Sequence, residues 1–251
     1  MTGFLRSVFE TCAIIIGLVF VWHVLVKVSG VEPYMVPGPI AVGETLWGRA
    51  GFLLYHASIT AYETLLGLFF GVTFGAILAV SLWLFPMARK VTLPVLLVTQ
   101  SLPVFAIAPV LVLWFGFGLA SKIIMATLVI FFAITSTFYD GLRRLDPGLS
   151  ELSRLYRLSR FQEFRLLRLP SAMPAFASGI RIAAAFAPIG AIVGEWVGAK
   201  GGLAFILLQF NARAQTDVVF AALILLATMV LVLRYVADYA TRFLAPWQTE
   251  D

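Results

Sequence analysis

The sequence predicts an all-α integral membrane protein with about six transmembrane helices, on three observations. Hydrophobic residues fill 61% of its 251 positions and charged residues only 12%. The mean hydropathy is +0.97, whereas a soluble domain carries roughly 25% charge. The apolar runs are also long and continuous. A helix needs about 20 apolar residues to cross the hydrocarbon core, and barrel strands would alternate instead.

Taken in order, the spans fall at about 11–29, 59–84, 91–116, 121–139, 177–197 and 219–241. The first reads as a retained helix. Its basic n-region is only Arg6, offset by Glu10, and Val28-Ser29-Gly30 is a poor cleavage site. Residues 30–58 hold Pro33, Pro37, Gly38 and Pro39, then a short interfacial helix near Ile40–Trp47. The 85–90 link carries Arg89 and Lys90. The 140–176 loop carries seven arginines: Arg143, Arg144, Arg154, Arg157, Arg160, Arg165 and Arg168. In a six-span chain this loop, the 85–90 link and both termini share one side. Basic residues collect in the cytoplasm, so that side is expected to be cytoplasmic, with 30–58 and 198–218 facing outward. No linker or low-complexity run divides the chain, so 1–251 reads as a single domain.

Local patterns add detail. Gly67, Gly71 and Gly75 lie on one helix face, where small residues let another helix approach closely. Leu152, Leu155 and Leu158 recur among charges, as in an amphipathic helix. With Leu166, Leu167 and Leu169 before Pro170 and Pro174, the loop reads as two short helices at the membrane face and a turn into the fifth span. Such a loop can be a basic anchor on anionic lipid or a docking element. Residues 201–217 are too short to span and fit a re-entrant or interfacial helix. Arg234, Asp238 and Arg242 read as an i,i+4 ladder, and Trp22, Trp83 and Trp247 as interfacial anchors. The one cysteine, Cys12, allows no disulfide frame, and His23 and His56 have no metal-ligand pattern. The net charge of +5 lies between apolar spans, so headgroups and a partner protein fit better than nucleic acid.

The loop also has a recognisable spacing. Glu151-Leu152-Ser153 is followed by three residues, Arg157, nine residues and Leu167-Arg168-Leu169-Pro170. This resembles the EAA loop of binding-protein-dependent ABC importer permeases, which reads E-A-A, three residues, G, nine residues, I-x-L-P. Ser101-Leu102-Pro103, Ala108-Pro109, Trp114-Phe115-Gly116-Phe117-Gly118, Gly194-Glu195 and Gly201-Gly202-Leu203 resemble the nitrate/sulfonate/taurine branch. Residues 187–198 and Asn211-Ala212-Arg213 are more similar to the thiamine-pyrimidine-precursor permeases. The resemblance spans about 35–242.

What the resemblance implies is a type I ABC importer permease fold in the bacterial inner membrane, multi-pass, with both termini cytoplasmic. It implies an ATPase pair docked on 140–176 through Glu151, Ser153, Arg154, Arg157, Ser159, Arg160, Leu169 and Pro170. It implies a second permease subunit, expected to be another copy, and an extracytoplasmic binding protein meeting Arg213, Gln215 and Asp217. The expected substrate path or gate uses Glu63, Trp114, Phe131, Pro188, Glu195, Trp196 and Asn211. No cofactor or metal is expected in this chain. ATP and Mg would sit on the partner ATPase, since the chain has no Gly-x-x-x-x-Gly-Lys-Ser/Thr loop. Arg157 stands where the family has glycine. Either the turn shifts by a residue, or the site stays helical and Arg157 becomes a contact. A left-handed arginine would cost about 1 kcal/mol.

Two other classes compete. A membrane enzyme would need an intramembrane His, Asp or Glu cluster, and the linear sequence displays none. A secondary transporter would often show inverted repeats, and none is evident. The span middles hold no Lys or Arg, with Lys27, Lys122 and Arg181 near span ends, while Trp114, Phe115, Phe131, Phe132 and Phe186 could stack on a flat ring. A neutral or weakly charged heteroaromatic solute such as an aminopyrimidine is therefore favoured over taurine, a sulfonate or nitrate.

Overall fold

The structure, a computed structural model, describes residues 2–247, without the side chains of 2–9, 11, 12 and 88. The side-chain readings for Arg6 and Cys12 lie outside the described residues. The chain is helical throughout: α1 Thr2–Ser29, α2 Pro39–Gly48, α3 Ala50–Leu84, α4 Pro86–Ser101, α5 Val104–Phe115 and α6 Leu119–Arg143. There follow α7 Pro147–Leu155, α8 Arg160–Glu163, a π-turn Phe164–Arg168, α9 Leu169–Trp196, α10 Leu203–Asn211 and α11 Thr216–Arg242.

Among the described residues, four helices are long and apolar enough to cross a membrane by themselves: Ala50–Leu84, Leu119–Arg143, Arg160–Trp196 and Thr216–Arg242. The expected 91–116 span is not one helix. It breaks into α4 and α5, bent by 101°. Leu102 and Pro103 are both extended there, with ψ of 131° and 120°. Proline disfavours helix in the residue before it and supplies no N–H. In α1, Ala13–Ser29 is an apolar helix with largely exposed side chains.

Two other boundaries differ from the sequence reading. The second span begins at Ala50 rather than 59, and α3 has 35 residues. At 1.5 Å per residue it is about 52 Å long, well beyond a 30 Å hydrocarbon core. The fifth span has no turn at Pro170 or Pro174, and the helix runs on from Arg160 to Trp196. The π-turn makes this possible: Leu169 N–H bonds the Phe164 carbonyl five residues back. The extra residue in the turn takes up the missing donor and ring bulk of Pro170.

The centre of the fold is α6, held between α3 and α9. A methyl built on Gly67, Gly71 or Gly75 would collide with Ala126, Ile130 or Ile134. From the other side, Gly179 and Gly190 meet Thr137 and Ala126 just as closely. Small residues on two flanking helices bring three backbones together, and packing at that distance holds helices where lipid offers no hydrophobic drive.

The bundle has two chemically distinct ends. At the basic end, Leu82, Leu96, Phe138, Tyr139, Leu142 and Ala172 form a core, with Trp83, Phe164 and Leu169 packed on it. This brings the 85–90 link and the 140–176 loop together, and Arg89 donates to Tyr139 Oη at 3.2 Å. At the far end, Val42, Leu53, Leu203, Ile206, Phe210 and Val218 form a second core. Thus α10 is docked into protein rather than lying free at a lipid interface. Trp22 stacks on Phe220 with centroids 5.8 Å apart, and Trp83 lies beneath Arg168, so each has a protein neighbour. Trp247 is exposed.

Candidate functional site

At the basic end, α7 starts on a built cap: Asp146 accepts from Gly148 N–H at 2.8 Å, and Pro147 occupies the first helical position. The chain then turns, and α8 starts on a full capping box. Ser159 N–H donates to Gln162 Oε1 at 2.9 Å, and Gln162 N–H donates to Ser159 Oγ at 3.3 Å. Between them Arg157 has φ +48°. Neither expected alternative holds. The turn has not moved and the site is not helical; the arginine itself takes the left-handed conformation that a glycine would take freely.

This loop presents an exposed face. Leu155, Tyr156 and Phe161 are 78%, 74% and 67% exposed, and Glu151, Arg154, Arg157, Ser159 and Arg160 are exposed around them. Of the expected coupling residues, three point elsewhere. Ser153 is buried, and Leu169 and Pro170 are half-buried at the start of α9, where Leu169 packs on the basic-end core. They shape the loop's root rather than its exposed face.

At the far end the structure assembles a buried polar cluster. Lys122 Nζ lies 2.7 Å from Glu63 Oε1, with both side chains almost fully buried. Thr60 Oγ1 donates to Glu195 Oε1 at 2.6 Å. The start of α10 is held by three successive backbone donors: Gly202 N–H to His56 Nδ1 at 3.0 Å, Leu203 N–H to Thr60 Oγ1 at 2.8 Å, and Ala204 N–H to Glu195 Oε2 at 2.7 Å. These are the orphan donors of a helix N-terminus, satisfied by side chains of α3 and α9. Gly202 has φ +108°, and a Cβ there would strike the Glu195 carboxyl. Glu63 Oε2 is buried without a hydrogen-bond partner.

A buried cluster of ionisable residues therefore exists at the far end of the bundle, which the linear sequence does not display. Its members are mostly engaged in pairing Lys122 and pinning α10. Among the described residues no group of three or more His, Cys, Asp or Glu is placed to hold a metal. Glu63 and Glu195 come together as gate candidates, but the remaining path candidates do not converge on them. Phe131 and Pro188 are buried in the helix packing, Trp114 is 71% exposed, Trp196 packs on Phe105 at 5.7 Å, and Asn211 is exposed at the end of α10. Of the aromatics expected to stack on a ring, Trp114, Phe115 and Phe186 are exposed and Phe131 is buried against the basic-end core. A groove of about 550 Å³ between α3 and α6 is lined by Phe70, Thr73, Phe74, Ile77, Ile124 and Thr127 among others. Of the expected binding-protein contacts, Arg213 and Gln215 are exposed, and Asp217 accepts from Thr45 Oγ1 at 2.7 Å.

Two cations of the spans, Lys122 and Arg181, each have a carboxylate within 4 Å. Lys122 lies near a span end, as expected, at the fourth residue of α6, and is buried there; Arg181 instead lies well inside the Arg160–Trp196 helix, 3.9 Å from Asp238, with its Nε buried and without a hydrogen-bond partner. Asp238 also takes Arg234 at 3.0 Å, so that part of the expected ladder forms. Sequence reasoning missed His56, Thr60, Lys122 and Arg168. A signal for the first two was present: His56, Thr60, Glu63, Gly67, Gly71 and Gly75 step by three or four residues along one face of α3.

Comparison with known proteins fits this geometry. Residues 71–250 match the family model described as the binding-protein-dependent transport system inner membrane component. A probable ABC transporter permease of Haemophilus influenzae is 43% identical over 90% of this chain and 93% of its own. The formylaminopyrimidine transport permease ThiX of Halalkalibacterium halodurans is 31% identical, covering 93% of this chain and 94% of its own. The riboflavin permease RibX of Chloroflexus aurantiacus is also 31% identical, over 92% and 87%. Among solved structures, the inward-facing MetNI methionine ABC transporter shares the fold with a TM-score of 0.66, at 23% identity over 77% of this chain and 96% of that one.

Proposed function

The chain belongs to the binding-protein-dependent inner-membrane transport components, and on that premise we propose that it imports a neutral or weakly charged heteroaromatic solute such as an aminopyrimidine. It is the permease subunit of an ABC importer, a multi-pass membrane protein that transports and is not an enzyme. ATP hydrolysis belongs to a separate ATPase, which carries the ATP and Mg, and an extracytoplasmic binding protein delivers the solute. In this reading two copies of the chain form the path. The basic end faces the cytoplasm, and the ATPase pair docks on α7 and α8.

The observation that carries the docking assignment is the exposed face of Leu155, Tyr156 and Phe161 among Glu151, Arg154 and Arg160. Large apolar side chains ringed by charge are what a protein interface presents. The 198–218 segment, with α10 pinned by Glu195 and Thr60, serves as the outer gate. Arg213, Gln215 and Asp217 meet the binding protein.

Two points support the substrate class. Lys122, the cation buried at the far end, is already neutralised by Glu63. A permanently anionic solute would want unpaired positive charge along its path. The relatives named for formylaminopyrimidine and riboflavin both carry heteroaromatic rings. Uptake assays in cells holding the permease, its ATPase and its binding protein test the reading. An aminopyrimidine should accumulate, and taurine should not. Robust taurine or sulfonate uptake with no pyrimidine uptake would overturn it. For orientation, Ser159→Cys should resist an impermeant thiol reagent applied to intact cells.

A further inference from the structure

Of the seven arginines in the 140–176 segment, six are exposed and one, Arg168, is half-buried. Its guanidinium engages three separate elements. Nε lies 2.7 Å and Nη2 2.6 Å from Glu163 Oε1 at the end of α8. Nη1 donates to the Leu142 carbonyl at 2.9 Å. The cation also sits 5.3 Å from the centroid of the Trp83 ring on α3. Leu142 is in the last turn of α6, where backbone carbonyls have no intrahelical donor and the helix dipole favours a cation. A planar fork can meet a carboxylate, a carbonyl and an aromatic face at once; a lysine ammonium cannot.

We propose that Arg168 is the positioning residue through which the α7–α8 element moves α3 and α6 as a unit. The proposal deepens the docking reading and rests on it. The path of force is short. A displacement of α8 reaches Arg168 through Glu163, then α6 through the Leu142 carbonyl and α3 through Trp83. Phe164 supports the same joint, its ring 5.4 Å from that of Trp83. From there α3 and α6 cannot slide independently, because Gly67, Gly71 and Gly75 seat α3 directly on Ala126, Ile130 and Ile134. The π-turn places Arg168 at an irregular point in the helix from Arg160 to Trp196, which also holds Pro174 and Pro188. Without a side-chain tie, that point is where the helix would flex.

The experiment uses the permease assembled with its ATPase in lipid. Spin labels are placed at Arg165→Cys and Phe85→Cys, both exposed positions, and their separation is measured with and without ATP and vanadate. In the otherwise unaltered chain the distance stays the same in both states, because the loop and α3 move together. With Arg168→Met added, the ATPase still co-purifies and hydrolyses ATP, but the distance shifts by about 5 Å or broadens when nucleotide is trapped. Arg168→Lys keeps the Glu163 pair alone and gives an intermediate shift. Glu163→Gln, which spares the Leu142 and Trp83 contacts, gives a smaller shift and serves if Arg168→Met fails to accumulate. An unchanged distance in the accumulating variants overturns the joint. Co-purification of the ATPase with a chain lacking residues 151–160 overturns the docking reading instead, so the two failures are distinguishable.

Discussion

The two ends of the molecule handle charge in opposite ways. At the far end, Glu63, Lys122 and Glu195 are taken out of solvent and fixed by partners from α3, α6 and α9, so that charge there serves the fold. At the basic end most charged groups stay exposed, Leu155 and Tyr156 remain uncovered, and the loop's order comes from caps. A buried charge must be answered within the chain. An exposed one is free to answer a partner. The contrast predicts that substitutions at the far end cost stability, and that those at the basic end cost assembly.

The largest expected effect is at Lys122. Lys122→Met leaves Glu63 buried and unpaired near Glu195, and should destabilise the protein by about 3–5 kcal/mol. Lys122→Met with Glu63→Met removes both charges and should recover most of that loss. Thermal unfolding in detergent measures both. A double variant no more stable than the single would show that Glu63 has a further partner that matters more. Next comes Glu195→Ala, which strips a hydrogen bond from Ala204 and another from Thr60. The expected cost is about 1–3 kcal/mol per buried group left unsatisfied. Hydrogen exchange at residues 202–206 should rise while exchange in α6 does not.

These predictions rest on contacts that the linear sequence conceals, and the reason is physical. Helix existence was legible because a span must be long and apolar, and α3, α6, α9 and α11 lie where hydropathy put them. The Gly67–Gly75 stripe was legible because its period is local. The break at Leu102–Pro103 shows in the sequence only as a proline within an apolar run, and a run of that length predicts one span rather than a bend. The pairing of Lys122 with Glu63 joins residues 59 apart on different helices, and only α3–α6 packing brings them together. Arg168 was counted as one more loop cation because its value lies in the Leu142 carbonyl and the Trp83 ring, neither of which has a local signature. The capping residues Asp146 and Ser159 act within three positions of themselves, yet the recurrence of Leu152, Leu155 and Leu158 carries a helical period across the turn between them.

At the basic end the expected effects fall on assembly. Glu151→Lys sits on an exposed face and should shift stability by less than about 0.5 kcal/mol, while ATPase co-purification is lost. A carboxylate there can meet basic groups or a helix N-terminus on the partner. Retained binding with retained transport would remove Glu151 from the interface.

The smallest effect comes from a matched pair, one at each end. Arg157 and Ala214 are the non-glycine residues with positive φ among the described residues, at +48° and +55°. Each conformation costs roughly 1 kcal/mol in the folded state. Replacement by glycine removes that strain but frees the unfolded chain, which costs about 0.4–1 kcal/mol in return. Arg157→Gly and Ala214→Gly should therefore each change stability by no more than about 0.5 kcal/mol. Their functional consequences should differ. Ala214 offers a methyl group, and its replacement should leave transport unchanged. Arg157 offers an exposed guanidinium on the face assigned to the ATPase, and its loss should weaken ATPase affinity several-fold, by about 1 kcal/mol for an exposed charge contact. Titration of the ATPase against the two variants separates the cases. Unchanged affinity in Arg157→Gly would mean that the residue at this position supplies only the turn, which a glycine makes more easily.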